Sequence, residues 1–263
     1  MSEQIPDEAG IMTQVASVFD PSMYDFEVSC KIHSLRAICD VKIVVKDIGS
    51  QCLYLQINIG KTNKIIKINT LAKCANDTGP ELLQKVNALA KLLDVKTIEL
   101  TDASLRNYCD TIIHLPILSI LTTGSTWYNS QGYVSDNHDE IMRHNASIVD
   151  GPFVKLMYDA QKGVGDNSDL MAKLNAVVEI TADISVKTYV NKLVASIGRG
   201  DTCSKSNAIL LNELVGHIAS ARILEFDQKL YHKLSGGRRM RMQTKRNRKC
   251  KKTKRNNKRT NKR

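Results

Sequence analysis

Residues 64–100 read KIIKINTLAKCANDTGPELLQKVNALAKLLDVKTIEL, and the hydrophobic period of this stretch changes twice. Apolar and polar residues alternate over 64–71, which predicts a half-buried strand. Large apolar residues then recur at helical spacing: Leu82, Val86, Leu89 and Leu93. They predict an amphipathic helix over 80–93, and the apolar run 97–100 predicts a short buried strand. A strand–loop–helix–strand unit of this kind belongs to a sheet with helices packed on it.

The loop before the predicted helix has two interpretations. Thr78 and Glu81 have the spacing of a capping box, and Pro80 stands in the first turn, where no backbone donor is needed, so the loop is a good helix cap. The same loop also brings backbone N–H groups to a helix N-terminus, which binds phosphate through free amides and the positive end of the helix dipole. Its residues are Cys74, Ala75, Asn76, Asp77, Thr78 and Gly79.

The flanking sequence extends the sheet upstream and adds a helix downstream. Short β-rich runs predict further strands before the unit: 26–32, 41–45 and 52–59. A loose leader, 1–24, precedes them and contains a short helix near 11–18. The apolar run 115–121 predicts a helix that continues to Gly124. We therefore expect an α/β (α+β) fold, with a mixed, mainly antiparallel sheet and packed helices.

Beyond about residue 135 the strand signals end, and three segments have helical periodicity: 136–144, 185–197 and 205–224. The chain is therefore expected to have four parts. These are the leader 1–24, an α/β domain over 25–147, a small helical module over 148–235, and a Lys/Arg-rich tail over 236–263.

An aromatic segment, Trp-Tyr-Asn-Ser-Gln-Gly-Tyr over 127–133, ends the helical run and returns the chain to an extended form. Tyr128 is a candidate catalytic residue, because a phenol held at such a point can donate a proton to a leaving group. The alternative is that Trp127, Tyr128 and Tyr133 only form a packed aromatic corner.

From Lys64 to Tyr133, the order of elements, the loop and the Tyr128-x-x-x-Gly132-Tyr133 sequence resemble the GNAT acetyltransferases. This resemblance implies that the loop binds the pyrophosphate of acetyl-CoA through backbone amides, and that Tyr128 protonates the departing CoA thiolate. Two features depart from the family pattern. Asp77 stands where the family's loop has a glycine, and the chain has no room after 26–32 for the family's paired helices.

The C-terminal tail carries 15 Lys and Arg in 28 residues and no acidic residue, which leaves 23 basic and 27 acidic residues in 1–235. Its candidate nucleic-acid-binding residues are Arg238, Arg239, Arg241, Lys245, Arg246, Arg248, Lys249, Lys251, Lys252, Lys254 and Arg255. Such a segment is expected to be disordered in isolation and to bind DNA or RNA through its charge. Without aromatic residues it cannot stack on bases, so binding is expected to be non-specific. A nuclear-localisation or solubilising role remains the alternative.

Composition also excludes several classes. No stretch of about 18 apolar residues is present, so a membrane-spanning helix and a membrane partner are not expected. The polar, acidic N-terminus is unlike a signal peptide. Seven scattered cysteines without a C-x-x-C pair indicate free thiols in a reducing, intracellular compartment.

A short acidic and histidine-containing segment brings possible oxygen and nitrogen ligands of a metal near one another. Its residues are Asp136, His138, Asp139, Glu140 and His144. The ligand spacing matches no recognised motif, and acids in the first turn of a helix complement its dipole, so no metal site is predicted.

The phrase LSILTTGSTWYNSQGY, together with the Lys/Arg/Asn-rich end, resembles proteins of giant nucleocytoplasmic DNA viruses. That resemblance implies a host cytoplasm, viral factory, nucleus or virion as location, and it names no activity. Two hypotheses follow. In the first, the chain is an acetyl-CoA-dependent N-acetyltransferase with Tyr128 as acid and an acceptor that the sequence leaves open. In the second, it is a catalytically silent GNAT-like structural or interaction protein that binds nucleic acid through its tail.

Overall fold

The computed structural model describes residues 7–33, 36–60, 64–72, 77–198 and 200–234. The strands are β1 (Tyr24–His33), β2 (Arg36–Val45), β3 (Gln51–Gly60), β4 (Lys64–Leu71), β5 (Thr97–Thr101), β6 (Leu105–Tyr108), β7 (Thr111–His114) and β8 (Lys229–Lys233). The helices are α1 (Glu8–Val18), α2 (Gly79–Leu92), α3 (Leu115–Thr123), α4 (Trp127–Ser130), α5 (His138–Val149), α6 (Phe153–Val164), α7 (Ser168–Val177), α8 (Val186–Ile197) and α9 (Lys205–Ala221).

A mixed sheet of strand order β1-β2-β3-β4-β5-β8 is the centre of the fold. Its strands pair antiparallel except β4 and β5, which are parallel and are joined by α2. The predicted strand–helix–strand unit is confirmed: β4 covers 64–71, and α2 begins one residue before the predicted start at Pro80. The expected mixed, mainly antiparallel α/β class is confirmed with it.

One face of the sheet is the first apolar core. Val41, Leu55, Ile66 and Ile98 are fully buried on neighbouring strands of this face, and α1 and α2 cover them. Helix α1 confirms the predicted short helix near 11–18, but the leader is not loose. Ile11, Val15 and Phe19 on and after α1 are 0% exposed, because their four-residue spacing places them on the one helix side that faces the sheet.

A second apolar core is built from helices α3 and α5 to α9 together with β7. The chain enters this core at Ile113, returns to the first core at Tyr128 and Tyr133, leaves again for α5 to α9, and finally returns through β8. The cores therefore do not follow the predicted division at residue 147, since α3 already belongs to the second one. No described helix is both long and apolar enough to cross a membrane.

Strand β8 corrects the prediction that 148–235 is purely helical. It pairs antiparallel with β5, and on its other edge the backbone of Tyr231 exchanges two 2.8 Å hydrogen bonds with Val134. The five residues KLYHK have too weak a periodic pattern to predict a strand. Their extended conformation is stabilised by pairing with the neighbouring strand β5. The short β6–β7 hairpin escaped prediction for the same reason.

Disulfides between described residues show that the prediction of free thiols throughout the chain is wrong. Cys30 and Cys39 lie directly opposite each other on β1 and β2 and are bonded. Cys109, in the β6–β7 turn, is bonded to Cys203, which precedes α9. The spacings lack a recognised motif, so these pairs become visible only when the fold brings them together. The inference of a reducing compartment from free thiols loses its premise.

Removing the Cys109–Cys203 bond is expected to destabilise the protein strongly. The two residues are 94 apart in sequence, and closing a loop of that length removes about 5 kcal/mol of chain entropy from the unfolded state. The Cys109→Ser/Cys203→Ser variant should therefore unfold at clearly lower urea concentration than the natural chain.

The matched control is Cys30→Ser/Cys39→Ser, whose bond spans only 9 residues and should cost about 3 kcal/mol by the same relation. Equal midpoints for the natural chain and the Cys109/Cys203 variant, or rapid reaction of these two thiols with a thiol reagent in the folded protein, would contradict the bond.

Candidate functional site

The parallel strands β4 and β5 stop pairing before β4 ends. Residues 65–68 of β4 pair with 97–100 of β5, whereas β4 runs on to Leu71 paired only with β3. An irregularity in the β3–β4 register leaves Asn69 between two paired positions. We call the region between 69–71 and 101–102 the β4–β5 opening. Ligands of sheets with parallel strands bind outside the carboxyl ends of those strands, which is where the opening lies.

Helix α2 begins at the same end of the sheet, and its start is capped by its own side chains. The backbone N–H and the hydroxyl of Thr78 both donate to Glu81 Oε2 at 2.7 Å. These bonds hold the pKa of Glu81 below its usual value. The predicted capping box is confirmed.

Gly79 is in contact with the aromatic segment. A Cβ atom at this position would lie 2.9 Å from Cη2 of Trp127, so only glycine allows the indole to pack on the start of α2. Trp127 meets Tyr128 edge-on at 4.8 Å between ring centroids, and Tyr128 meets Tyr133 edge-on at 6.2 Å. The three rings therefore form the predicted aromatic corner, and that corner closes over α2.

Asp77, the acidic residue of the loop, is neutralised by its surroundings. Its Oδ2 atom accepts hydrogen bonds from the Tyr24 hydroxyl at 2.5 Å and from the Lys85 ammonium. The ammonium also lies over the rings of Phe19 and Tyr24, 5.7 and 5.3 Å from their centroids. Burial alone would raise the pKa of Asp77, but the bonds from Lys85 and Tyr24 outweigh burial and lower it. The carboxylate is thus ionised and paired.

Tyr128 lies in α4, whose start is held by Thr126 and Asn129: the Thr126 hydroxyl donates to Asn129 Oδ1 at 2.9 Å. Tyr128 is 7% exposed. Burial, and next the charge of Asp102, raise the pKa of Tyr128 to about 12, so the hydroxyl is protonated at neutral pH. The neighbouring Tyr133 is fully buried, and its hydroxyl has no hydrogen-bond partner among the described residues.

Asp102 is the site residue that sequence reasoning missed. It follows β5 directly and is 2% exposed. Its Oδ1 atom accepts from the backbone N–H and the hydroxyl of Ser104 at 3.3 and 2.6 Å, while Oδ2 is buried and has no partner in the part of the chain that the structure describes. Burial raises its pKa. The sequence feature that could have identified it is the position of an acidic residue directly after a predicted buried strand.

The other predicted site residues fall into two groups. Cys74, Ala75 and Asn76, and the basic residues of the tail, lie outside the described residues. In the acidic segment, Asp139 and Glu140 occupy the first turn of α5, and His144 Nε2 lies 2.9 Å from the carbonyl oxygen of Ile223. No three His, Cys, Asp or Glu side chains gather as a metal site would require within the described ranges.

The contact between Gly79 and Trp127 predicts a coupled pair of substitutions. Gly79→Ala should destabilise the protein by about 2 kcal/mol, because the new methyl group forces the indole away. In a Trp127→Ala background the same substitution should cost little or nothing. Urea unfolding of the four proteins of this cycle measures the coupling, and equal costs of Gly79→Ala in both backgrounds would contradict the contact.

Asp77 predicts a pH-dependent contribution to stability. Because folding lowers its pKa below the ordinary 3.8, the ionised group stabilises the folded state above that pH, and the stabilisation is lost as the pH falls through the lower folded-state pKa. Asp77→Asn should therefore cost about 2 kcal/mol at neutral pH and progressively less in acid. Thermal unfolding across this range tests it. Asp139→Asn is the control, and a difference that does not shrink with acid would refute the pairing.

Comparison of the chain with protein-family models, with curated proteins and with solved structures finds no match in any of the three.

Proposed function

We propose that the protein is an acetyl-CoA-dependent N-acetyltransferase of GNAT-like fold that acts on an amine acceptor. The observation that carries this proposal is the β4–β5 opening. At this one end of the sheet the pairing of the parallel strands stops and helix α2 begins, and Tyr128 packs against Trp127, which contacts Gly79 at the start of α2.

The residues present fit such a molecule. Beyond Ile68, the edge of β4 that faces β5 is paired with no strand among the described residues, and its backbone groups offer donors and acceptors to an extended chain that contains amides. The N-terminus of α2 offers a positive dipole end to phosphate groups. Asp77 would repel phosphate if its charge were free, but Lys85 and Tyr24 neutralise it, which removes the objection that the sequence raised.

When bound, acetyl-CoA supplies an activated acetyl group whose leaving group is a thiolate. In the proposed reaction Tyr128 holds the proton for that thiolate, since its pKa of about 12 keeps the phenol protonated at neutral pH. Thr126 and Asn129 fix α4 and so hold Tyr128 in place.

A second candidate function is a catalytically silent structural or interaction protein of the same fold. The packing of Trp127 on Gly79 and the Thr78–Glu81 cap favour it, because they give both sequence features a use that needs no ligand. In either case we propose that the basic tail binds nucleic acid non-specifically through its charge. An intracellular or virion location goes with both candidates.

Calorimetric titration of acetyl-CoA into the 1–235 protein tests the acetyltransferase. The tail is deleted because its 15 cations attract any polyphosphate, and both apolar cores lie within 7–234, so the deletion leaves them intact. We expect saturable one-to-one binding. Tyr128→Phe should bind equally well and lose about 100-fold or more in turnover, the usual loss when a general acid is removed.

Two results would contradict the proposal. No heat of binding at millimolar acetyl-CoA would leave the silent protein as the better function. Unchanged turnover in Tyr128→Phe would remove the role of Tyr128 as acid while leaving acetyl-CoA binding in place.

A further inference from the structure

We propose that the Cys109–Cys203 disulfide is a thiol-exchange site, at which a small thiol of negative charge, such as glutathione, reduces the folded protein and releases the β6–β7 turn. The Cys30–Cys39 bond stays oxidised under the same conditions. This inference concerns a second place in the molecule and does not depend on the proposed acetyltransferase.

The Cys109–Cys203 bond lies at a surface cavity. Both cysteines are half-buried, and both line a cavity of about 820 Å³ between the β6–β7 hairpin, the later turns of α8 and the loop that precedes α9. Pockets that hold drug-sized ligands have volumes in the same range. A thiol as small as a tripeptide can therefore enter the cavity and reach the bond.

The Cys30–Cys39 bond is protected by comparison. Cys39 belongs to the apolar core of the sheet and is 0% exposed. A thiol that attacks the half-buried Cys30 has to expel the Cys39 thiolate into this core, where apolar surroundings destabilise the charge. Since exchange depends on access to the attacked sulfur and on the stability of the leaving thiolate, the two bonds should differ strongly in reactivity.

The charge of the cavity indicates which thiol it accepts. Among the described residues that line the cavity, Arg106 is the only charged one. Its guanidinium carbon lies 4.8 Å from the centroid of the Tyr108 ring, and it forms no ion pair with any described residue. A cation without a counter-charge attracts a negatively charged thiol and favours the thiolates that the exchange forms.

The turn that carries Cys109 has a backbone conformation that neither of its central residues favours. Cys109 and Asp110 lie between the paired residues Tyr108 and Thr111, and their φ angles are 48° and 64°. A two-residue hairpin turn in which both φ angles are positive favours Asn-Gly, because this region is sterically costly for other L-residues. Reduction of the bond to Cys203 therefore allows the turn to relax.

The partner cysteine is held by its own loop. The backbone N–H of Cys203 donates to the carbonyl oxygen of Gly200 at 3.1 Å, and that of Ser204 donates to the carbonyl oxygen of Ile197 at 2.6 Å. These bonds do not involve the disulfide and remain when it is reduced. The hairpin turn, and not the loop before α9, is thus the part that relaxes.

The reaction exchanges one disulfide for another. The sulfur of a first thiol bonds to one cysteine of the pair, the bond between the two cysteines breaks, and the other cysteine leaves as a thiolate that takes up a proton. A second thiol attacks the sulfur of the bound small molecule and releases the remaining cysteine, which also takes up a proton. The protein gains two electrons and two protons, and the two small thiols become one disulfide.

Incubation of the full chain with glutathione, without denaturant, tests the site. Thiols are blocked with an alkylating reagent at timed intervals, and mass spectrometry of the peptides measures each cysteine separately. We expect Cys109 and Cys203 to be reduced at a rate proportional to the glutathione concentration, with glutathione bound to one of them as the intermediate. Cys30 and Cys39 should react at least about 10-fold more slowly.

Three results of this incubation would overturn the site. The first is that Cys109 and Cys203 stay oxidised at millimolar glutathione. The second is that both disulfides are lost together, and the third is that the rate does not depend on the glutathione concentration. The last two would show that reduction requires unfolding of the whole protein.

Arg106→Gln tests the preference for a negatively charged thiol. This variant should slow reduction by glutathione about 5-fold, the effect of one charge close by in water, and should not slow reduction by the cationic thiol cysteamine. Arg143→Gln is the matched control, because Arg143 lies on α5 and does not line the cavity. Equal slowing of both thiols in Arg106→Gln would overturn the attraction by charge.

Asp110→Gly tests the release of the turn. Glycine adopts a positive φ without steric cost, so the oxidised turn gains more from it than the relaxed turn does. In a glutathione buffer at equilibrium, the constant for reduction of Cys109–Cys203 should fall about 3-fold or more. Asp47→Gly is the matched control, since Asp47 has the same φ of 64° in the β2–β3 turn, far from this bond in sequence. An unchanged constant in Asp110→Gly would overturn the release.

Discussion

The parallel pairing of β4 with β5 is the interaction on which the rest of the structure depends. Two parallel strands that are neighbours need a crossover, and α2 supplies it by burying Leu82, Val86 and Leu89 against the sheet. The crossover places the start of α2 at the carboxyl end of β4. Because β8 pairs with the other edge of β5, Asp102 is fixed at the carboxyl end of β5. The positions of the α2 N-terminus and of Asp102 follow from this arrangement.

At that end of the sheet, most residues of the candidate site also have a role in the stability of the fold. The indole of Trp127 occupies the space above Gly79, and Glu81 accepts a hydrogen bond from the Thr78 amide. The stability of the fold is therefore enough to explain both Gly79 and Thr78, although the sequence placed them in a phosphate-binding loop. Asp77 is likewise satisfied by Lys85 and Tyr24. Asp102 differs from them, because its Oδ2 atom is buried and makes no hydrogen bond to any residue that the structure describes. Residues whose bonds are complete serve the fold, and a residue with an incomplete set is the better indicator of chemistry.

The two apolar cores are interleaved along the chain rather than placed end to end. Two separate segments of the chain contribute to the helical core, one over 113–121 and a longer one over 149–224. The bridge between Val134 and Tyr231 brings the two ends of the longer segment together on the sheet. The Cys109–Cys203 disulfide links these two segments covalently. A domain boundary near residue 147 would therefore divide the helical core, so the described residues do not separate into two domains at that point.

The sequence by itself determined the elements whose signals are local. Strand β4, helix α2 and the cap formed by Thr78 and Glu81 were predicted nearly to the residue, because alternation, helical spacing and capping each depend on neighbours in sequence. It also indicated Tyr128 and the aromatic corner. Only the tertiary structure decided the pairing of β8 with β5, the disulfide partners, the neutralisation of Asp77 and the burial of Asp102. Each of these depends on contacts between residues far apart in sequence. A short strand, a single cysteine or a lone carboxyl has no periodic pattern in the sequence from which its distant partner could be predicted.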